Sequence, residues 1–163
     1  MGKIKYFISF CVLFLSTSFC FAKQISFQIV QHDSKIDTVT EQSLIIEDEM
    51  LNGFFEYGYI VTNSQAEISK SEKEDKKLFN KGLQEALEGF SDYFVQIRLY
   101  YDNSKKGDGF SVTLEKIEWE IIKASTGDLV FSNSLDELKK SITDEELRKV
   151  SSILINDIKK VLR

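Results

Sequence analysis

The stretch Gly89–Ser132, GFSDYFVQIRLYYDNSKKGDGFSVTLEKIEWEIIKASTGDLVFS, limits the fold more than any other part of the chain. It reads as three consecutive strands, a meander, with one helix packed before it and another after. Residues 93–101 alternate. Tyr93, Val95, Ile97, Leu99 and Tyr101 share one face, and Phe94, Gln96, Arg98 and Tyr100 share the other. Successive side chains of a pleated strand point to opposite sides, so this alternation marks a half-buried strand. The return strand changes phase: Phe110, Val112 and Leu114 are apolar at even positions, Ile117, Trp119 and Ile121 at odd ones. One extra residue near Glu115–Lys116 puts both sets on one face, which predicts a β-bulge. A turn over Asp102–Gly109 would set Leu99 opposite Val112, Val95 opposite Ile117 and Trp119 opposite Tyr93. A second hairpin is expected at Ala124–Asp128, with Gly127 in the left-handed conformation and Ile121 facing Phe131. The acids of the Asp102–Gly109 tip miss the spacing of a calcium loop, and Lys105 and Lys106 sit among them, so it reads as a polar turn.

At the other end, Met1–Lys5 is basic, Tyr6–Phe21 is apolar and Ala22 is a small exit residue. That is the pattern of a secretory signal peptide over 1–22, which leaves 23–163 as a single α/β domain. The apolar run is short for a membrane span, so no transmembrane segment is expected in the mature chain. Cys20 supplies the alternative, a lipid anchor, although Phe19 before it is larger than the residue such cleavage sites favour. Cys11 and Cys20 are the two cysteines of the chain and both lie in the leader, so the domain is expected to hold no disulfide and no cysteine metal site. Without Lys3 and Lys5 the basic count falls from 21 to 19 against 26 acids, a net charge of −7. That disfavours nucleic acid and anionic lipid as partners. No motif calls for a cofactor.

Gln24–Gln31 reads as the first strand, with Ile25, Phe27 and Ile29 inward, and His32 as a loop residue after it. Thr38-x-x-Glu41 predicts a capping box for a helix from about Val39 to Glu56, ended by Gly58. Glu47 projects near the centre of that helix's apolar arc, where a basic partner or the rim would satisfy it. Tyr59–Asn63 reads as the second strand and Ser64–Lys77 as a solvated loop and helix lead-in. Ser71-x-x-Glu74 caps an amphipathic helix with Leu78, Phe79, Leu83, Ala86, Leu87 and Phe90 on one face, stopped by Gly89. Leu135–Lys140 reads as a short helical turn. Thr143-x-x-Glu146 caps the last helix, and Leu147, Val150, Leu154, Ile158, Val161 and Leu162 point inward. The order is β-α-β-α-β-β-β-α, a mixed sheet whose three-stranded C-terminal meander is packed by amphipathic helices.

With that order, Gln42–Asn63, Gly89-Phe90-Ser91-Asp92-Tyr93-Phe94-Val95 and Ala124-Ser125-Thr126-Gly127-Asp128-Leu129-Val130-Phe131-Ser132 resemble TolB amino-terminal-like domains. The same domain type occurs in the curli-secretion lipoprotein family and in lipoprotein activators of peptidoglycan synthases. The resemblance implies a non-enzymatic periplasmic or outer-membrane accessory protein that binds other cell-envelope proteins. It carries no catalytic residues. Phe94, Arg98 and Tyr100, aromatics around an arginine on the second face of the third strand, form the candidate partner surface. The rival reading is a binding protein for a small apolar or lipid ligand held between sheet and helices. A hydrolase using Glu47 or His32 would need a nucleophile with a base, and no such motif is present.

Overall fold

Two parallel crossovers and one antiparallel meander meet on the first strand, and this decides where each helix must go. The computed structural model describes residues 22–33, 35–102, 113–136, 138 and 143–162, with the backbone of 105–106 and 109–110. The elements are β1 (Gln24–His32), α1 (Glu41–Glu56), β2 (Ile60–Ser69), α2 (Glu72–Glu88) and β3 (Tyr93–Asp102). They continue with a small ribbon, β4 (Lys105–Lys106) and β5 (Gly109–Phe110), then β6 (Thr113–Lys123), β7 (Asp128–Leu135) and α3 (Asp144–Leu162). Five strands form one mixed sheet in the order β2-β1-β3-β6-β7. β1 runs parallel to β2 and β3, whereas β3, β6 and β7 are antiparallel. The crossover from β1 to β2 steps one way along the sheet, and the crossover from β2 to β3 steps back past β1. Right-handed crossovers in opposite directions place their helices on opposite faces. α1 therefore packs on one face, here the inner, and α2 on the outer. α3 joins α1.

The inner face holds the main core: Ile25, Phe27 and Ile29 of β1, Val95, Ile97 and Leu99 of β3, and Ile117, Trp119 and Ile121 of β6. Ile46, Met50 and Phe54 of α1 and Leu147, Leu154, Ile158 and Leu162 of α3 close over them. The Phe27 and Phe54 rings meet edge to face at 5.9 Å. At the rim, Gln31 Oε1 accepts from the Thr40 N–H (2.9 Å) and the Ser43 hydroxyl (2.8 Å), and Ser43 also touches the Tyr101 hydroxyl at 2.9 Å. This cluster pins the start of α1 to the sheet. It also corrects the expected cap: Thr40, not Thr38, accepts from the Ser43 N–H.

The bulge lies where the change of phase predicts it. Tyr100 pairs with Lys116 and Tyr101 with Leu114, which leaves Glu115 as the extra residue. Beyond the bulge the register differs from the expected one by four residues: Val95 opposes Ile121 rather than Ile117, and Trp119 opposes Ile97 rather than Tyr93. A slip of four keeps every side chain on its face, so alternation cannot detect it. The connection is longer than a simple turn because it contains the β4–β5 ribbon; Val112 lies outside the described residues. At the next turn Ile121 faces Phe131 and Gly127 has φ +72°, both as expected.

β2 runs on to Ser69, six residues past its expected end, so much of Ser64–Lys77 is strand rather than loop. As an edge strand it can present polar side chains to α2 and to solvent, and its polarity hides the pairing with β1. The capping boxes at Ser71 and Thr143 form as expected: Ser71 accepts from the Glu74 N–H, and Thr143 and Glu146 cap each other. Leu135 ends β7, and residues 137, 139 and 140 of the expected helical turn lie outside the described residues.

α1 and α2 end in the same way with different residues. After α1, the Gly58 N–H bonds to Phe55 O and the Tyr59 N–H to Phe54 O, a Schellman motif with Gly58 at φ +80°. After α2, the Phe90 N–H bonds to Leu87 O and the Ser91 N–H to Ala86 O, the same motif with Phe90 at φ +58°. Gly89 is thus one position too early to supply the left-handed residue. The conformation costs an L-residue roughly 1–2 kcal/mol, which glycine avoids.

Candidate functional site

On the outer face, α2 lies over β1, β2 and β3 and over the Ile122–Ala124 end of β6. Ala86, Phe94, Ile122 and Ala124 form a small second core there, with Phe79 and Leu83 packed against it. Phe94 is fully buried in it, its ring 5.8 Å from that of Phe79. It therefore does not belong to an accessible partner surface. α2 covers it, and room for its ring exists because residue 82 is glycine: a Cβ there would sit 2.5 Å from the Phe94 ring.

Arg98 and Tyr100 lie further along β3, at the margin of α2, and are half-buried. Arg98 pairs with Glu118 and Tyr100 with Lys116 across the β3–β6 ladder, so their side chains meet those of β6. The Arg98 guanidinium bonds to Glu120, lies 3.6 Å from Glu118 and donates through Nε to Gln96 at 3.1 Å. The Tyr100 hydroxyl donates to Glu118 at 2.8 Å, and the Lys116 ammonium reaches the same carboxylate at 2.7 Å. Burial alone would raise the Glu118 pKa, but Lys116, Tyr100 and Arg98 together hold it below the usual carboxylate range. Burial, with Glu118 adding to it, pushes the Tyr100 hydroxyl up, so it stays a donor at neutral pH.

His32 completes the group. It is the last residue of β1 rather than a loop residue, and its ring stacks on that of Tyr100 at 4.4 Å. Its Nε2 lies 3.4 Å from Asp75 of α2, without the alignment of a hydrogen bond. Burial lowers the His32 pKa, and Asp75 offsets this only in part. The imidazole is therefore neutral at physiological pH, wedged between strand and helix. Glu47 is not part of this cluster. It lies on the inner side of the sheet and accepts from the Asn63 amide at 2.8 Å. Among the described residues, no three His, Cys, Asp or Glu side chains are grouped to hold a metal ion. Cys20 lies outside them.

Beyond this network the outer face is open. Ser132 and Ser134 of β7 lie opposite Glu120 and Glu118 and are exposed, and a shallow trough of about 430 Å³ runs from Arg98 past Glu118 and Glu120 to these serines. Chemically the site is a fixed, charge-compensated polar surface beside an unpaired sheet edge. The alternation of residues 93–101 revealed Arg98 and Tyr100. Glu118 and Glu120 were hidden because their partners follow from the register, and His32 because its partner Asp75 comes from another element.

A protein-family model described as "uncharacterised protein" matches residues 24–163. The chain belongs to that family. No curated protein matches it. Among solved structures, a PelC dodecamer from Paraburkholderia phytofirmans is similar over 86% of each chain, at 18% identity and a TM-score of 0.46. The lipoprotein GNA1162 from Neisseria meningitidis matches 85% of this chain and 99% of its own, at 13% identity and a TM-score of 0.48. The LpoB C-terminal domain from Salmonella enterica matches 79% of this chain and 92% of its own, at 8% identity and a TM-score of 0.41. Likeness at this level carries no weight for function, which has to be read from the residues themselves. No helix of the described residues is long and apolar enough to cross a membrane.

Proposed function

We propose that the protein is a non-enzymatic accessory protein of the bacterial envelope, exported by its leader, that acts by binding another envelope protein. The docking surface is the open part of the outer sheet face, centred on Arg98 and Tyr100 and flanked by β7. One observation carries this reading: the outer face is only half covered, and its open half is built rather than merely solvated. Arg98, Tyr100, Glu118 and Glu120 are held in one arrangement by mutual hydrogen bonds and ion pairs. A preordered surface of this kind loses little side-chain freedom on binding, and aromatic and arginine side chains are the groups enriched at interface centres. The polar groups are compensated within the surface, and the Ser134 hydroxyl likewise donates to the Asp136 carboxylate at 3.1 Å; such mutual pairing favours recognition over reaction. An apolar or lipid ligand between sheet and helices finds no support, because side chains fully buried against one another fill that space.

The test must avoid cutting the network, since removing Arg98 would strand two partly buried carboxylates. Ser132→Arg and Ser134→Arg alter the open surface at exposed positions and should leave the urea midpoint unchanged. In a crosslinking pull-down from native envelope, the double variant should lose a partner that the wild-type chain captures. Capture at wild-type level by the folded variant removes this surface as the docking site.

A further inference from the structure

The end of the sheet where β1 begins carries a second feature, which the docking surface does not use. Large apolar side chains are exposed there, among them Phe55, Tyr57, Ile60, Leu87 and Phe90. They come from the C-terminal ends of α1 and α2 and from the start of β2. Backbone bonds tie those elements to the entry of β1: the Ile60 N–H donates to Lys23 O, and the Asp92 N–H to Gln24 O. Phe90 is 88% exposed and Phe55 75%. Phe90 is also held in the left-handed region, where the matching helix end uses Gly58. A bulky aromatic at a left-handed position, exposed over most of its surface, costs stability, and such a side chain points to an apolar phase outside the protein.

We propose that this end of the domain seats on a lipid bilayer, with Phe90 and Phe55 entering the interfacial layer. Lysines frame the same end. Lys159 holds its ammonium 3.3 Å from the centre of the Tyr57 ring, Lys23 lies 5.9 Å from that of Tyr93, and Lys123 lines the same hollow as Phe90. Aromatic rings beside lysines are the composition of a membrane interface; here Lys23 also bonds to Leu162 O, and Asp92 lines the hollow with Lys123. Where the chain joins the domain identifies the occupant. The apolar run Tyr6–Phe21 leads directly into Ala22 and Lys23 at this end, and Cys20 stands two residues before Ala22. An acyl chain on Cys20, the alternative to removal of the whole leader, would hold this end and no other against lipid. With a net negative protein, the contact is apolar and interfacial rather than electrostatic, so zwitterionic lipid suffices. The inference goes beyond the docking reading and uses other residues, so either can fail alone.

The test reads lipid contact residue by residue in the full chain, reconstituted into phosphatidylcholine–phosphatidylethanolamine vesicles that contain brominated phosphatidylcholine. Phe90→Trp and, separately, Phe55→Trp report on this end. Lys70→Trp, exposed at the end of β2 far from Lys23, reports on the other. Native Trp119, buried in the core, gives the common background. Bromine should quench the tryptophan at 90 and at 55 several-fold more than the one at 70. Equal quenching at all three positions overturns the proposal. A concentration-dependent dimer, abolished by Phe90→Gly and accompanied by no quenching at 90, overturns it in favour of a second copy. Phe90→Gly adds an independent readout. Its urea midpoint should rise as the left-handed strain is relieved, while quenching at Phe55→Trp falls in the double variant; a fall in the midpoint would mean that Phe90 serves the fold, and would also overturn the proposal.

Discussion

The two faces of one sheet differ in what they bury and so in what they can do. Among the described residues, the inner face, under α1 and α3, gathers nineteen buried residues into one apolar cluster, whereas the outer face, under α2, gathers four. On the inner face two helices close the layer. On the outer face one helix covers half the sheet, and beyond its margin a polar network takes over, with Arg98, Tyr100, Glu118, Glu120 and His32 in reach of one another. The difference follows from connectivity. The described residues hold three helices for two faces, and the crossover rule sends only α2 outward. Stability is thereby concentrated on one side, and part of the other is left open.

The largest effect should come from the inner face. Phe54 is fully buried and packs on Phe27 and Tyr59. Phe54→Ala should cost about 3–5 kcal/mol, as for large aromatics removed from filled cores, read from the urea midpoint and slope. A loss of less than about 1 kcal/mol would mean that the inner layer is loosely filled, and the contrast between the faces would fail. Gly82→Ala probes the outer layer. Its Cβ would meet the Phe94 ring at 2.5 Å and Gln28 Oε1 at 3.0 Å, and the ring, lodged against Phe79, has little room to yield. Overpacking of about 1–3 kcal/mol should exceed the gain of up to about 1 kcal/mol from replacing a helical glycine, so the variant should be less stable. A neutral or stabilised Gly82→Ala would show that α2 rides loosely on the sheet. Gly53→Ala is the matching inner-face control: its Cβ meets the terminal methyl of Ile155, the mobile end of a flexible side chain. It should stay within about 1 kcal/mol of wild type.

How much of this was legible depends on the kind of signal. Strand faces and the bulge at Glu115 could be read because parity is local and strict. The register of β6 could not, since a four-residue slip preserves parity and only the length of the β4–β5 ribbon selects it. β2 looked like a loop because an edge strand can be polar along most of its length. α2 ends at Glu88 with Gly89 as its cap, as expected. Yet the Schellman bonds put Phe90 at the left-handed position, and no pattern in the residues announces that choice. Of the site, Arg98 and Tyr100 were visible as a face, but Phe94 on the same face is core. The boundary between them is the edge of α2, a tertiary fact. The pairing of His32 with Asp75 and Tyr100 joins three separate elements and has no local signature.

The smallest expected effect is one of pH, and it would place acid sensitivity on the outer face. His32 is the only histidine in the chain. It faces Asp75 of α2, Arg98 and Tyr100 of β3 and Glu118 of β6. Burial holds its pKa below the ordinary value, with Arg98 acting in the same direction, and Asp75 and Glu118 opposing. The unfolded chain, with an ordinary histidine pKa of about 6.5, therefore takes up a proton before the folded one does. Stability from this group is full above that value, declines as pH falls through it, and levels off below the lowered folded pKa. Glu118 acts in the same direction but in a different window, because its depressed pKa matters only once pH falls below the ordinary carboxylate value of about 4.3. Urea midpoints at about pH 7.5 and about pH 5.5 isolate the histidine. Wild type should lose stability over that interval, and His32→Gln, which cannot take the proton, should lose less. An equal loss in both proteins would mean that His32 accepts its proton freely in the fold, with Asp75 drawn in as a true ion-pair partner. The outer network would then be open to water up to the margin of α2, and the two faces would differ even more than their packing suggests.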